Sequence, residues 1–284
     1  MTDIICPKCK GILNINEAKL VCKDCKQIYP IEDGIPVLLH DAIKNDLVTN
    51  YIDHYKQDAK SFDYYRKKDP QLAHDMKRLA QVITHKIPSD AVRILDVGAG
   101  SNWVAKFMIP KRKEVYAVDI SHDNIKKARD IYHEEKYHGF VADAYSLPFR
   151  PNYFDVIIAS EIIEHVVDPS KFVSVLTSYL KVGGVLLIST PYKENIPQHL
   201  CIHCNKLTPA NAHLHSFNKE KILSLFNEEN IQNVKIITFS NKLLSLMRFY
   251  PLLKIMPYGI WRVFDWLLNR IIPKPAKMLV KYYK

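Results

Sequence analysis

The sequence predicts an α/β fold built on a doubly wound, mostly parallel sheet, with a small cysteine-rich module before it and a helical tail after it. An apolar run reaches Asp96 and opens into a glycine turn, and a second apolar run ends at Asp119. Two C-x-x-C motifs lie near the N-terminus, and the composition becomes basic and aromatic-rich at residue 241. The predicted regions are a metal-binding ribbon at 1–40, a helical cap or linker at 41–90, a cofactor-binding domain at 91–240 and the tail at 241–284.

The overall composition is that of a globular protein. Of the 284 residues, 48% are hydrophobic and 25% are charged, which suffices for a sizeable core. The first residues lack a basic segment followed by an apolar one, and no run of eighteen apolar residues occurs, so we expect neither a signal peptide nor a membrane-spanning helix. All six cysteines occur in C-x-x-C pairs, which predicts metal binding in the reducing cytoplasm.

The N-terminal module carries four cysteines at the spacing of a structural zinc site. Cys6 and Cys9 form one pair, and Cys22 and Cys25 form the other after twelve intervening residues. Four thiolates in two tight turns supply the tetrahedral sulfur cage that Zn²⁺ prefers, with no position left open. We therefore predict a structural zinc ion that holds together a hairpin too short to bury its own core.

Residues 41–90 are predicted to be helical. Apolar side chains recur at spacings of three and four from Leu72 to Ile83, and several tyrosines, among them Tyr55 and Tyr65, precede them. We expect this segment to cover the cofactor, with some of its tyrosines closing the pocket.

The glycine turn and the strand-end carboxylates predict a nucleoside-binding site. Gly98 and Gly100 directly follow the strand that contains Asp96, and Asp119 ends the next strand. These positions meet at the carboxyl ends of the strands in a doubly wound sheet, where a carboxylate can accept both hydroxyls of a ribose. A dinucleotide is disfavoured because bulky Trp103 occupies the place of the third small residue in the G-x-G-x-x-G pattern.

Three further blocks, at 141–149, 154–160 and 180–191, identify the family that this region resembles. Together with the glycine turn, their order and spacing resemble class I S-adenosylmethionine-dependent methyltransferases, which have a Rossmann-like fold. The resemblance covers residues 90–192 and is strongest to the small-molecule branch typified by quinone-biosynthesis O-methyltransferases. The sequence around the first four cysteines resembles the zinc-ribbon module that accompanies several such enzymes.

The resemblance implies which residues hold S-adenosylmethionine. They are Asp96, Gly98, Gly100, Asp119, Asp143 and Ala144. By this likeness the glycine turn would bind the methionine end, Asp119 the two ribose hydroxyls and Asp143 the adenine amino group. The family's third glycine is replaced by Asn102.

Two carboxylates and an imidazole follow the fourth strand of the predicted domain. If the chain is helical there, Glu161, Glu164 and His165 share one face at positions i, i+3 and i+4, above the strand ends. Such a set is suited to half of a divalent-metal site, and His165 can alternatively act as a base. These three residues are the candidate catalytic residues.

The E-x-x-E-H pattern is similar to that of polyprenyl-phenol O-methyltransferases and of small-RNA 3′-terminal 2′-O-methyltransferases. The second resemblance implies a downstream histidine as a further ligand, for which His213 and His215 are candidates and His215 is favoured by its His-x-Phe context. The metal would lower the pKa of the acceptor hydroxyl and orient it toward the sulfonium methyl. Many enzymes of this branch carry the E-H-V-x-D-P stretch found at 164–169 without a metal in their pattern, so a metal-free role of His165 stays open.

A third C-x-x-C pair predicts a second zinc site after the fifth strand. Cys201, Cys204 and His213 would bind this ion, which leaves His215 to the carboxylates. The set is one ligand short of a tetrahedron, and the alternative is a pair of buried free cysteines.

The tail concentrates the positive charge of the chain. Residues 241–284 hold nine Lys or Arg and one acidic residue, Asp265, for +8 of the net +10. A helix around Trp261 would carry polar residues on one side and apolar, aromatic residues on the other, which is typical of an interfacial helix. A ladder for anionic lipid would follow at Lys274, Lys277, Lys281 and Lys284. Packing on the catalytic domain, dimerisation and RNA binding are the alternatives.

Together these features predict an S-adenosylmethionine-dependent O-methyltransferase that acts on a hydrophobic or lipid-linked acceptor at the inner face of a membrane. An RNA methyltransferase is the second interpretation, although the net charge outside the tail is only +2. A cofactor-sensing or adaptor module is the third interpretation, and it requires that the cluster of carboxylates has no catalytic role.

Overall fold

The computed structural model describes residues 4–16, 18–40, 51–61, 65–66, 69–133, 135–202, 205–227, 231–246 and 250–284. The N-terminal ribbon is an antiparallel sheet whose strands pair in sequence order. Its strands are β1 (Leu13–Asn16), β2 (Lys19–Cys22), β3 (Ile28–Glu32) and β4 (Ile35–Pro36).

The ribbon packs against the edge of the main sheet. Just after β4, Val37 forms a parallel bridge with Val141, and the Leu38 amide donates to the Val141 carbonyl at 2.7 Å. The turn of the first C-x-x-C pair also contacts the loop that follows Val141. There the Ser146 hydroxyl donates to the Pro7 carbonyl at 2.9 Å. The ribbon therefore covers an edge strand that would otherwise be unpaired.

Two helices lie between the ribbon and the main sheet in the chain, α1 (Tyr51–Ser61) and α2 (Pro70–Thr84). The Asp69 carboxylate caps α2 by accepting from the Gln71 amide at 2.9 Å, and Pro70 occupies the first helical position. The buried side chains of α2 include Leu79 and Ile83, which fix the helix on the core.

A seven-stranded sheet forms the body of the protein. Its strands are β5 (Arg93–Val97), β6 (Glu114–Asp119), β7 (Tyr137–Val141), β8 (Phe154–Ser160), β9 (Leu180–Pro191), β12 (Val234–Asn241) and β13 (Pro275–Tyr283). Two short strands, β10 (Gln198–Leu200) and β11 (Leu207–Pro209), form a separate hairpin. The order across the main sheet is β12-β13-β9-β8-β5-β6-β7. Strands β5 to β9 are parallel and β13 is antiparallel to both neighbours, which confirms the predicted doubly wound, mostly parallel sheet.

Helices cover the parallel strands, as their nearly continuous apolar sequences require. They are α3 (Trp103–Met108), α4 (His122–Ile131), α5 (Pro169–Tyr179) and α6 (Lys219–Leu223). The Ser121 hydroxyl caps α4 by accepting from the Asn124 amide at 3.2 Å, and the Asp168 carboxylate caps α5 by accepting from the Lys171 amide at 2.9 Å.

The C-terminal segment differs from the predicted separate tail. Its helices are α7 (Lys242–Leu246), α8 (Tyr250–Leu253) and α9 (Tyr258–Ile271), after which β13 enters the sheet between β12 and β9. The predicted domain boundary at residue 240 falls inside β12. The prediction of a helical tail is wrong for residues 275–283, which form β13. The physical reason is the apolar stretch from Met278 to Val280, which is fully buried in the sheet. Among the described residues, no helix combines the length and the apolar character needed to span a bilayer.

Candidate functional site

The site lies at the carboxyl edge of the sheet, where β5 and β8 are neighbours. From β5 the chain proceeds to β6 and β7 on one side and returns through β8 on the other. Ligands of doubly wound sheets bind at such a switch point, and a cavity of about 950 Å³ opens there. The predicted residues in its lining are Gly98, Gly100, Asp119, Asp143, Ala144, Glu161 and His165.

The turn after β5 requires glycine for two reasons. Gly98 and Gly100 have φ values of 67° and 49°, in the left-handed region that residues with a Cβ avoid. A Cβ on Gly98 would also lie 2.5 Å from Cδ1 of Ile162. The turn therefore brings bare backbone to the wall of the cavity.

Asn102 takes the place of the family's third glycine without disturbing this turn. Its φ of 51° is one that asparagine tolerates better than most residues. The fully buried side chain amide donates to the Tyr65 hydroxyl at 3.1 Å and accepts from the Tyr137 hydroxyl at 2.7 Å. Asn102 thus ties the turn to the segment between α1 and α2 and to β7.

Two of the predicted carboxylates are held by backbone amides. Asp119 accepts from Gly100 N–H through Oδ2 and from Ser121 N–H through Oδ1, both at 2.8 Å. Asp143 accepts from Tyr145 N–H at 2.6 Å. Both carboxylates therefore have fixed orientations at the cavity wall.

The third carboxylate makes the site strongly acidic. Asp96 is 2% exposed, and among the described residues its Oδ2 has no hydrogen-bond partner. Burial, reinforced by the charge of Asp119, raises the pKa of Asp96 well above its usual range, and burial also raises the pKa of Asp119. A cationic ligand would relieve this unfavourable concentration of buried acid. The residues therefore fit S-adenosylmethionine, which carries a sulfonium and an ammonium group.

The segment after β8 is a turn and not the predicted helix. Glu161 has a φ of 55°, and its amide donates to the Ser189 carbonyl at 3.0 Å. Its carboxylate accepts from the Ser189 hydroxyl at 3.1 Å and forms an ion pair with the Lys277 ammonium. Glu161 therefore does not share a face with Glu164 and His165.

The structure brings a different set of metal-ligating atoms together. Ligand atoms of Glu164, His165 and His213 lie within 4.8 Å of one another. In the part of the chain that the structure describes, neither Glu161 nor His215 belongs to this cluster, which corrects the predicted ligand set. His215 is excluded because its Nε2 donates to the Val166 carbonyl at 2.9 Å.

Hydrogen bonds orient both histidines of the cluster. His165 Nδ1 lies 3.2 Å from the Ala212 carbonyl, which can only accept, so the proton is on Nδ1 and the lone pair on Nε2. His213 Nδ1 lies 2.6 Å from a Glu194 carboxylate oxygen, an arrangement common for metal-binding histidines. Burial, assisted by the neighbouring His213, lowers the pKa of His165 to about 4, so this imidazole is neutral near pH 7.

Glu164 is the most deeply buried member of the cluster. It is 1% exposed, and its Oε2 has no hydrogen-bond partner among the described residues. Burial and the charge of Glu161 raise the pKa of Glu164 well above its usual range. The Glu164 carbonyl accepts from the amides of Leu214 and His215, at 2.8 and 3.1 Å, and this pairing fixes the histidine segment over the turn.

Lys277 is the neighbour of the candidate site that the sequence analysis missed. It was assigned to a lysine ladder facing lipid, but β13 carries it into the site beside Glu161. Burial alone would lower the pKa of Lys277, but the charge of Glu161 outweighs this effect and raises it. The apolar stretch from Met278 to Val280 was the available sign of a buried strand.

The four N-terminal cysteines form the predicted cluster. The sulfur atoms of Cys6 and Cys25 lie 3.7 Å apart, and those of Cys9 and Cys22 lie 3.4 Å apart. A zinc–sulfur bond of about 2.3 Å places the sulfur atoms of a tetrahedron about 3.8 Å apart. The donor set therefore fits Zn²⁺. The Tyr29 hydroxyl, 3.2 Å from Cys6 Sγ, can donate to the bound thiolate.

The second predicted zinc site is only partly described. Cys201 is half-buried, Cys204 lies outside the described residues, and His213 is paired with Glu194 beside Glu164 and His165. This zinc site stays a prediction.

Two protein families match the chain. The methyltransferase domain family matches residues 63–236, and the Trm112p-like protein family matches residues 4–34. A UPF0434 protein from Methylobacillus flagellatus is 55% identical over 43 residues, which cover 14% of this chain and 72% of that protein.

Curated relatives of the main domain include two ubiquinone biosynthesis O-methyltransferases. The protein from Caulobacter sp. is 31% identical over 116 residues, covering 37% of this chain, and the protein from Xylella fastidiosa is 30% identical over 118 residues, covering 38%. The chain spans 43% and 45% of the length of these two relatives.

Solved structures show the same fold at low sequence identity. An S-adenosylmethionine-dependent methyltransferase from Mesorhizobium loti matches with a TM-score of 0.51 and 15% identity, over 74% of this chain and 100% of that chain. One chain of a complex that contains the Haloferax volcanii Trm112 methyltransferase activator matches with a TM-score of 0.52 and 15% identity, over 83% of this chain and 99% of that chain.

Proposed function

The chain belongs to the methyltransferase domain family, and from that membership we propose that it transfers a methyl group from S-adenosylmethionine to a hydroxyl oxygen of a lipophilic acceptor at a membrane surface. The prediction of a class I methyltransferase with an N-terminal zinc-ribbon module is confirmed. The observation that carries the proposed activity is the position of the glycine turn, Asp119 and Asp143 in the cavity wall, with Asp96 buried in the strand directly before that turn.

The acidic half of the cavity is the proposed cofactor site. Asp96 and the glycine turn hold the methionine end, Asp119 accepts the ribose hydroxyls, and Asp143 with Ala144 binds the adenine. Bound there, S-adenosylmethionine supplies a methyl group made electrophilic by the sulfonium charge. We expect helix α2 to help exclude water from the cavity, because its apolar residues Leu79 and Ala80 line it.

The acceptor half of the cavity is formed by the turn after β8. Glu164, His165 and His213 fit a divalent cation, since one carboxylate and two oriented imidazoles are suitable ligands. Such an ion would lower the pKa of an acceptor hydroxyl and position it. His165 holds its Nε2 lone pair available in either case, as a ligand or as the base that takes the hydroxyl proton.

A lipophilic acceptor is supported by the relatives and by the cavity. The curated relatives are named for ubiquinone biosynthesis, and the cavity lining next to His165 includes the apolar side chains of Ile162, Val166 and Val167. We place the reaction at the cytoplasmic face of a membrane, where thiolates stay reduced for zinc binding.

Calorimetry tests the cofactor site. The wild-type chain is expected to bind S-adenosylmethionine and its demethylated product, and Asp119→Asn is expected to weaken binding at least tenfold. Asp123→Asn is the matched control, because Asp123 is exposed in the first turn of α4. Failure of the wild-type chain to bind either compound would refute the proposed activity.

Labelled methyl groups test the acceptor. The protein is incubated with the labelled cofactor and either a membrane lipid extract or total RNA, and the product is analysed for methyl ethers. Label in the lipid fraction supports the proposal, and label in RNA favours the alternative of an RNA methyltransferase. Stimulation by added divalent cations, lost in Glu164→Gln, would support the metal.

A further inference from the structure

Helix α9 is oriented with its apolar side toward solvent. Six large apolar residues of this helix are between 37% and 77% exposed, namely Ile260, Val263, Phe264, Trp266, Leu267 and Ile271. Ile260, Phe264, Leu267 and Ile271 recur at spacings of four, three and four, so they form one continuous stripe. We call this exposed surface the apolar stripe of α9.

The opposite side of α9 buries polar groups. Asp265 is fully buried, and its carboxylate accepts from the Arg262 guanidinium at 3.2 Å and from the Asn269 amide at 3.1 Å. The Asn269 carbonyl oxygen accepts from the Asn241 amide at 2.9 Å. Buried polar groups that lose their hydrogen-bond partners destabilise a protein. The network therefore fixes α9 with its polar side on the end of β12.

A second contact holds the helix on α2. Arg78 of α2 is 2% exposed and donates to the carbonyls of Leu253 and Met256, at 2.6 and 2.7 Å. Its guanidinium lies 5.0 Å from the centre of the buried Trp261 ring, a favourable cation–π distance. The Asp265 network and the contact between Arg78 and Trp261 hold the helix from two sides. Because both contacts would break if the helix rotated about its axis, the apolar stripe stays exposed.

The charges around the stripe identify its occupant. Lys254, Arg270 and Lys274 are exposed near the two ends of α9, and Asp265, the single acid in residues 241–284, is buried. The Arg270 guanidinium lies 5.5 Å from the Trp266 ring at the border of the stripe. Apolar side chains bordered by tryptophan and cations, in a segment (241–284) whose single acid is buried, complement a bilayer that contains anionic lipid.

The C-terminal end of α9 lies at the same edge of the sheet as the cavity, since Asn241 donates to the Ile272 carbonyl at 2.8 Å. Helix α9 lies between the end of β12 at Asn241 and the start of β13 at Pro275, which pair at the carboxyl edge of the sheet. Lys277, two residues into β13, contacts Glu161 in the cavity wall. A membrane that accepts the stripe therefore reaches the edge of the sheet at which the cavity lies.

We propose that the apolar stripe of α9 docks into the interfacial layer of an anionic lipid bilayer and thereby presents the cavity to acceptors dissolved in that bilayer. This proposal rests on the proposed function and adds to it the residues that contact the membrane. A second copy of the chain and RNA are the competing occupants, and the experiment separates them.

Vesicle flotation tests the docking surface. The full chain is mixed with vesicles of phosphatidylcholine alone or with about one third phosphatidylglycerol. We expect binding to the anionic vesicles, and at least a tenfold loss of it in Leu267→Ser with Ile271→Ser. The matched control is Ile15→Ser with Ile28→Ser in the ribbon, whose side chains are similarly exposed and whose replacement is expected to change binding less than twofold.

Fluorescence gives a second measurement on the same protein. Of the three tryptophans, Trp261 is already buried and Trp103 lines the cavity. A blue shift on adding anionic vesicles is therefore expected from Trp266, and it should disappear in Trp266→Phe. A wild-type chain that binds no vesicles, or that binds equally well without Leu267 and Ile271, overturns the proposal.

The competing occupants give distinct results. If the wild-type chain sediments as a dimer and the Leu267→Ser, Ile271→Ser variant as a monomer, the stripe binds a second copy and docking to lipid is overturned. RNA binding that depends on the stripe would also overturn docking to lipid. Cofactor calorimetry on the same samples separates this proposal from the proposed function. A chain that binds the cofactor but not vesicles refutes the docking surface alone, and the reverse result refutes the activity alone.

Discussion

Replacement of Lys277 tests whether the C-terminal strand completes the site. Lys277→Met keeps most of the length of the side chain and removes its charge. Glu161 then remains beside the buried Glu164 without the ammonium that now pairs with it. Because the two carboxylates repel each other in a partly buried environment, we expect the variant to lose stability.

The expected magnitude follows from the burial of the ion pair. The side chains of Lys277 and Glu161 are 28% and 25% exposed, which is intermediate between a surface pair and a fully buried one. Surface pairs contribute about 0–1 kcal/mol and breaking a fully buried pair costs about 3–5 kcal/mol, so we expect a loss of about 2 kcal/mol. At roughly 2–4 °C for each kcal/mol, the unfolding midpoint should fall by roughly 4–8 °C.

A double-mutant cycle isolates the pair. Thermal and denaturant unfolding are measured for Lys277→Met, Glu161→Gln and the double variant, with Lys274→Met as the control at an exposed position of the same segment. Since Glu161→Gln removes the unpaired charge, the double variant should be more stable than Lys277→Met alone. Losses that add to within about 0.5 kcal/mol would refute the coupling.

Three further predictions concern the ribbon, the glycine turn and helix α9. Removal of zinc, or Cys9→Ser, is expected to weaken cofactor binding in calorimetry as well as stability, because the turn of the first C-x-x-C pair accepts a hydrogen bond from Ser146 in the cofactor loop. Asn102→Gly is expected to retain more cofactor affinity than Asn102→Ala, because glycine adopts the φ of 51° without strain. Burial raises the pKa of Asp265 to about 6, so the stability gained by its protonation is lost as the pH rises through 6. The free energy of unfolding should therefore increase by about 2 kcal/mol from pH 7 to pH 4, relative to Asp265→Asn.

Each of these predictions has a clear contrary result. Unchanged cofactor affinity in zinc-free protein would show that the ribbon does not support the loop. Equal affinities for the two Asn102 variants would show that backbone strain is unimportant there. Identical pH profiles for wild type and Asp265→Asn would show that this carboxyl is solvated.

The geometry of the proposed cofactor site could be predicted from sequence because its determinants are local. Asp96 and Asp119 lie at the ends of apolar runs, and parallel strands place such ends at one edge whatever the rest of the chain does. The cluster of four cysteines was predictable for the same reason, since C-x-x-C places two thiolates in one turn. Even Asn102 at the family's glycine position keeps the left-handed backbone that the turn needs.

The acceptor half depends on contacts between distant segments, which no local pattern contains. The i, i+3, i+4 spacing from Glu161 to His165 suggested a helix, but the positive φ of Glu161 makes a turn. The choice between His213 and His215 is decided by hydrogen bonds to the Glu164 carbonyl and the Val166 carbonyl. Those bonds join residues about fifty positions apart in the chain.

The C-terminal segment shows why an amphipathic pattern alone could not assign its faces. The pattern separates a polar from an apolar side, but it does not say which side contacts the rest of the protein. The polar side of α9 is the buried one, because Asp265 and Asn269 form hydrogen bonds at the end of β12. The same pairing fixes where the chain goes next, since Asn241 also donates to the Ile272 carbonyl at 2.8 Å and β13 starts three residues later. The contact that leaves apolar residues exposed at the surface is therefore also the one that brings Lys277 to Glu161, so loss of the Asp265 network should disturb vesicle binding and the ion pair together.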